Sequence, residues 1–361
     1  MQERLRGKAI ALAALLFIAL VTGGPAAAST VPGAPAVAAG AGSDVVSWGV
    51  NVHPEDADWT LEGARRAFDH ARKLGCRFVR TDFYWSELEP ARDAWNEGCA
   101  AWFGAYLDAA AAKGLYVQVI LTGAPGWARD LYGASPDAFF EEFEEYCAEV
   151  ARRYGTRVHY YQIWNEADNF LDFVSLPDDW RLFAGGRAGL ESRDADFETY
   201  ANLTSLPWSE WALDDWMRRA PGAIDIVGVD YYPGTWAMTP YEDWTPLRRV
   251  LDKTTDPDDP AYGKKVAVQE TGFSTWLCFW HNEKDQKNWI NASLPALRTV
   301  VSAHNARFPN KVVSCTWYEL RDMDTSGGWW LEYHFGILRS DWSKKPGFGD
   351  LRARIAEFVP R

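Results

Sequence analysis

The chain has 361 residues, 47% of them hydrophobic and 20 of them tryptophan, and carries a formal net charge of −13. That length and apolar content suffice for one large core, and the acidic balance argues against a nucleic-acid partner, which needs clustered Lys and Arg. The first element is not part of the fold. Arg4, Arg6 and Lys8 precede an apolar run over 9–21, and Ala26, Ala27 and Ala28 follow it. This reads as a secretory signal peptide over 1–28, with an apolar run of about 13 residues that is short for a membrane span. Residues 29–44 are rich in Ala, Pro and Gly, as in a flexible linker. The expectation is a secreted protein with no stable membrane insertion after signal cleavage and one folded domain over 45–361.

Within that domain strand-like and helix-like stretches alternate. A first strand is predicted over 45–52, a helix over Leu61–Leu74, a strand over 78–83 and an Ala-rich helix over 100–113. A strand over 115–121, a long amphipathic helix over 137–154 and a strand over 158–164 follow. The next stretch is weak: a helix over 178–189 is interrupted by Gly185-Gly186, and Glu198–Leu203 is the candidate fifth strand. Helices at 211–219, 246–252 and 288–304 then separate strands at 224–232, 266–270 and Val312–Trp317. Such alternation means a parallel α/β sheet, and eight units close a (β/α)8 TIM barrel of one domain with its site at the carboxyl ends of the strands. An open doubly wound sheet is the alternative, although no Gly-rich phosphate loop is present.

Two carboxylates end apolar strands. Glu166 closes Tyr160-Tyr161-Gln162-Ile163-Trp164-Asn165-Glu166, and Glu270 closes Val266-Ala267-Val268-Gln269-Glu270. If these are the fourth and seventh strands, both face one barrel mouth. A pair of carboxyl groups flanking a bond is what glycosidic cleavage requires: one protonates the leaving oxygen while the other attacks the anomeric carbon or activates water.

Trp164-Asn165-Glu166 and Gln269-Glu270-Thr271-Gly272, in that order, resemble the clan A glycoside hydrolases, which are retaining (β/α)8 barrels. The resemblance covers about residues 45–355 and implies Glu166 as acid/base, Glu270 as nucleophile and Asn165 as a ligand of the sugar 2-hydroxyl. It further implies that Arg80 hydrogen-bonds the nucleophile and keeps it ionised, that Tyr232 in Asp230-Tyr231-Tyr232-Pro233 orients it, with Tyr231 the competing choice, and that Trp317 floors the central subsite. His334-Phe335-Gly336-Ile337-Leu338 and Lys344-Lys345-Pro346 also resemble the clan. The sequence departs from it at Asp230, where members more often carry His or Asn. The implied activity is retaining hydrolysis of equatorial, β-type bonds in an oligo- or polysaccharide. A non-catalytic carbohydrate-binding barrel and a transglycosylase in the same site are the competing readings.

Other residues are candidates for the mouth. Asp82, Glu87 and Glu89 lie near a strand end, and His53 and His334 are candidate sugar hydrogen-bonders. Trp85, Trp127, Trp236, Trp276, Trp280, Trp329 and Trp330 fall in predicted loops. No His-Glu-x-x-His pair, phosphate loop or Gly-x-Ser-x-Gly elbow occurs, so neither metal nor cofactor is expected. Of the five cysteines, Cys76, Cys99, Cys147, Cys278 and Cys315, the pair Cys99 and Cys147 falls on neighbouring predicted helices and is a candidate disulfide, against five buried thiols.

Overall fold

Eight parallel strands follow one another in chain order around a closed barrel. The computed structural model describes residues 46–192, 196–276, 280–323 and 331–358. The expected signal and linker segments, Cys278, Trp329 and Trp330 lie outside them. The strands are β1 (Ser47–Asn51), β2 (Phe78–Tyr84), β3 (Tyr116–Thr122), β4 (Tyr160–Ile163), β5 (Glu198–Leu203), β6 (Ile226–Asp230), β7 (Lys265–Thr271) and β8 (Val312–Trp317). The helices are α1 (Leu61–Leu74), α2 (Glu97–Ala112), α3 (Gly126–Ala134), α4 (Pro136–Tyr154), α5 (Trp180–Glu191), α6 (Ser209–Arg219), α7 (Thr245–Thr255), α8 (Glu283–Asn305) and α9 (Phe348–Glu357). This is the (β/α)8 barrel that the alternation predicts, with the fifth strand at Glu198–Leu203. Among the described residues no helix is long and apolar enough to cross a membrane.

Local chemistry sets the helix ends. Thr60 caps α1 by accepting from the Gly63 amide, and Gly75, at φ 95°, ends it in the left-handed conformation that a side chain disfavours. Asn282 opens α8 with a capping box that includes Asp285. The Gly185-Gly186 pair does not break α5. A Cβ on Gly186 would lie 2.7 Å from Ile163 Cγ2, and one on Gly189 would lie 2.2 Å from the Glu144 carbonyl oxygen. These glycines let α5 press against β4 and α4, so close approach overrides their low helix propensity.

The inside of the barrel is layered. At its amino-terminal end the rings of Phe78, Tyr116, Tyr160 and Tyr200 run from strand to strand with centroids 5.3, 5.2 and 6.2 Å apart. The Phe78 ring fills the space beside Gly49, where any Cβ would clash at 2.2 Å. Ile226, Ala267 and Val313 complete this apolar plug with Tyr200. Above it the buried residues turn polar: Asn51, Arg80, Gln162, Asn202, Asp230 and Gln269. The larger apolar core lies between the barrel wall and the helices.

The expected Cys99–Cys147 disulfide is absent: Cys76, Cys99, Cys147 and Cys315 are free thiols, and burial raises the thiol of Cys147 well above its usual range. Trp85 is also not a loop aromatic. It starts a single helical turn, Trp85–Leu88, and is fully buried. Its indole N–H donates to Glu89 at 2.7 Å, so Glu89 serves the wall rather than the mouth.

Candidate active site

The polar layer is organised around one guanidinium. Arg80, on β2, is fully buried. Its Nη1 lies 2.6 Å from Glu270 Oε1 and donates to Asn51 Oδ1 at 2.7 Å. Its Nε donates to Gln162 Oε1 and its Nη2 to Asn165 Oδ1, both at 2.9 Å. A buried cation is tolerated only when such acceptors surround it. Burial alone would depress the guanidinium, and the nearby charges of Glu270, Asp230 and Asp82 leave it raised instead.

Glu270 receives a second donor, the Tyr232 hydroxyl, at 2.6 Å from Oε2. Tyr232 faces the mouth, while Tyr231 faces the helices: its ring packs edge-on to Trp244 and its hydroxyl lies 2.8 Å from Thr239 Oγ1. Two donors, one of them cationic, thus fix both oxygens of Glu270 as acceptors.

Glu166 follows the end of β4 through a distorted backbone. Trp164 and Glu166 have φ of 63° and 48°, the left-handed region that residues with side chains seldom adopt. The Trp164 amide extends the ladder to Leu121 O, and its indole N–H donates to Asp172. The Glu166 amide donates to Asn202 Oδ1 at 2.9 Å. Asn165 Oδ1 accepts from Arg80, Gln162 and Asn202, which leaves its NH2 group for a ligand. Burial, Glu270 and Asp168 push the Glu166 carboxyl well above the usual range, in that order.

One oxygen each of Glu166, Asp230 and Glu270 lies within 4.8 Å of the other two. This is the one grouping among the described residues with the donor set of a metal site. Arg80 already provides the cation beside Glu270, so the chemistry is that of a carboxyl centre with an internal counter-ion.

The structure brings Arg80, Asn165, Glu166, Tyr232 and Glu270 together. Trp317 is placed elsewhere. It is 0% exposed, its ring packs edge-on to Trp289 of α8, and its N–H donates to Glu319 O at 2.9 Å. Trp317 thus faces the helices, and the next residue, Tyr318, faces the mouth beside Tyr232. The Tyr318 ring packs against His53, Tyr232 and Phe335. Its hydroxyl donates to Glu332 at 2.8 Å, and burial pushes the Glu332 carboxyl up to about 7. Trp236 and Trp276 pack around this aromatic group, whereas Trp280 is 82% exposed. His53 is ion-paired with Asp82. Burial would lower its imidazole, and Asp82 outweighs that and leaves it raised. His334 is half-buried, and its carbonyl accepts from Thr275 and Lys345.

Sequence reasoning missed Asn51, Gln162, Asn202, Gln269, Tyr318 and Glu332. The first four carried a signal: each is the one amide side chain of its strand, and a polar residue in a buried strand needs a partner.

No family model matches the sequence, and no curated protein matches it. Solved structures do. GH5_18 from Streptomyces cattleya, in complex with GlcNAc, aligns with a TM-score of 0.66 over 88% of this chain and 82% of that chain, at 19% identity. The exo-beta-1,4-mannosidase Op5Man5 from Opitutaceae bacterium strain TAV5 gives 0.69 over 92% and 62%, at 17% identity. The family 1 β-glucosidase from Thermotoga maritima gives 0.65 over 88% and 98%, at 13% identity. At these identities the likeness is one of fold, the closed (β/α)8 barrel.

Proposed function

We propose that the protein is an exported retaining glycoside hydrolase acting on β-type bonds of an oligo- or polysaccharide. The observation that carries this reading is the convergence of Arg80 and Tyr232 on Glu270 with a Glu166 oxygen within 4.8 Å of a Glu270 oxygen. Retaining centres hold their carboxyl groups about 5–5.5 Å apart and inverting ones about 6.5–9.5 Å apart, and the short spacing supports double displacement.

Glu166, protonated because burial and Glu270 disfavour its charge, gives its proton to the glycosidic oxygen. The bond from the anomeric carbon to that oxygen breaks as a Glu270 oxygen bonds to the carbon, giving a glycosyl ester and a free aglycone. Glu166, now a carboxylate, takes a proton from water as the water attacks the same carbon. The ester opens, Glu270 is regenerated and Glu166 is protonated again. Asn165 NH2 donates to the 2-hydroxyl beside the reacting carbon, and Tyr318 floors the sugar. The neighbouring exo-beta-1,4-mannosidase and β-glucosidase support β-mannosides and β-glucosides as first substrates to try.

Hydrolysis of a panel of polysaccharides and aryl β-glycosides tests the proposal, with Glu270→Ala as control. Turnover that vanishes in the variant supports it and names the sugar. Turnover that survives would mean another nucleophile. Silence with tight sugar binding would favour a binding-only barrel, and transfer to added acceptor sugars would favour a transglycosylase. Amino-terminal sequencing of the exported protein tests cleavage after residue 28.

A further inference from the structure

Asp230, the last residue of β6, is 2% exposed. It sits within 4.8 Å of both Glu166 and Glu270. Asn202 of β5 donates to its Oδ2, and the same Asn202 accepts the Glu166 amide on its Oδ1. Asp230 Oδ1 is buried and has no hydrogen-bond partner. The charged groups that face Asp230 are Glu270 of β7, Glu166 after β4 and Arg80 of β2.

Three carboxyl groups therefore share one guanidinium, and that guanidinium touches Glu270. Like charges this close in a buried layer cannot all ionise. One negative charge is matched by Arg80, and two protons remain, one on Glu166 and one on Asp230. We propose that Asp230 is a third carboxyl of the reaction centre, a positioning residue that keeps its proton and lends it as a hydrogen bond to whichever glutamate carries the negative charge. The proposal rests on the glycosidase reading above for its role in turnover.

The charge moves in that mechanism. In the resting site it lies on Glu270. When Glu270 becomes an ester and Glu166 has given up its proton, it lies on Glu166. Asp230 borders both, and its unpartnered Oδ1 is the oxygen on which a proton finds no competing donor. No bond to Asp230 forms or breaks, and it ends each cycle with the proton it began with. Burial and the two glutamates raise its carboxyl well above the usual range.

The experiment is carbon-13 NMR of the whole protein labelled at aspartate Cγ, titrated with pH, with Asp230→Asn assigning the resonance. The Asp230 signal should remain that of a carboxylic acid after the exposed aspartates have ionised. In Glu270→Gln, where the neighbouring charge is removed, the same signal should titrate at lower pH. If Asp230→Asn does not fold, the one late-titrating signal that moves in Glu270→Gln serves as the assignment. An Asp230 that ionises with the exposed aspartates, or is unmoved in Glu270→Gln, overturns the proposal whether or not any glycoside is cleaved. A silent glycoside panel would sink the glycosidase reading while leaving this shared proton in place.

Discussion

Arg80 and Glu270 meet 2.6 Å apart inside the barrel, although they stand on β2 and β7. The same guanidinium also holds Asn51, Gln162 and Asn165, so one side chain sets the geometry of both glutamates. Arg80→Ala should lower stability by about 3–5 kcal/mol, because it strands a buried carboxylate. Urea unfolding checks this. Arg80→Lys keeps the charge but cannot reach four acceptors in a fixed plane. It should fold and lose at least about tenfold in kcat/KM, consistent with a loss of more than about 1.4 kcal/mol.

Tyr232→Phe removes the other donor to Glu270. A hydrogen bond to a charged group contributes about 1.5–3 kcal/mol, so kcat/KM should fall roughly 10- to 100-fold. Tyr231→Phe, next to it, should leave hydrolysis within about twofold on the same scale, since its hydroxyl meets Thr239 and Asp243 rather than Glu270. Equal losses in the two variants would contradict the assignment.

Glu166→Gln cannot donate a carboxyl proton. Hydrolysis of an alkyl glycoside should fall by about 10²- to 10⁴-fold. A dinitrophenyl glycoside, whose leaving group needs no proton, should lose far less in its first step. In the wild type the alkaline limb of kcat/KM should track the raised Glu166 carboxyl. A limb that persists unchanged in Glu166→Gln would rule it out as the acid.

Glu319 is 0% exposed, with no hydrogen bond to either carboxylate oxygen. Burial raises its carboxyl well above the usual range, as it does for Glu166 and Asp230. Groups raised in the folded state bind protons that the unfolded chain releases. Their contribution is complete below the unfolded pKa and is lost as pH rises through the folded one. Urea midpoints should therefore fall as pH rises above the ordinary carboxylate range. Glu319→Gln should be the more stable protein at the upper end, by about 1–3 kcal/mol, and should show a shallower pH slope. A variant weaker than wild type there would mean that Glu319 is held as a charge.

Much of this was legible in the sequence because barrel strands are buried on both faces and stand out as apolar runs between charged helices. Glu166 and Glu270 were visible as carboxylates at the ends of such runs. Trp317 was misplaced by one residue: both Trp317 and Tyr318 are aromatic, and only the folded chain decides which one faces the mouth. The break expected in α5 failed because a glycine pair reads the same in a helix that must lie flat on its neighbour as in one that ends. Glu332 stood apart from any predicted strand, and its place at the site rests on its hydrogen bond from the Tyr318 hydroxyl.

The pairing of β6 with β7 skips one residue: Val229 lies opposite Val268, but Asp230 lies opposite Glu270. In a regular strand Gln269 and Glu270 would point to opposite sides. Here Gln269 reaches Gln162 and Glu270 reaches Arg80, both within the barrel. The inward position of Glu270 is therefore written into the length of the strand as much as into the residue's identity. Removing a single residue from 268–270 would turn the next side chain towards the helices. A transplant of this centre to another barrel must carry the irregular strand with it, or it will deliver the right amino acid to the wrong side of the wall.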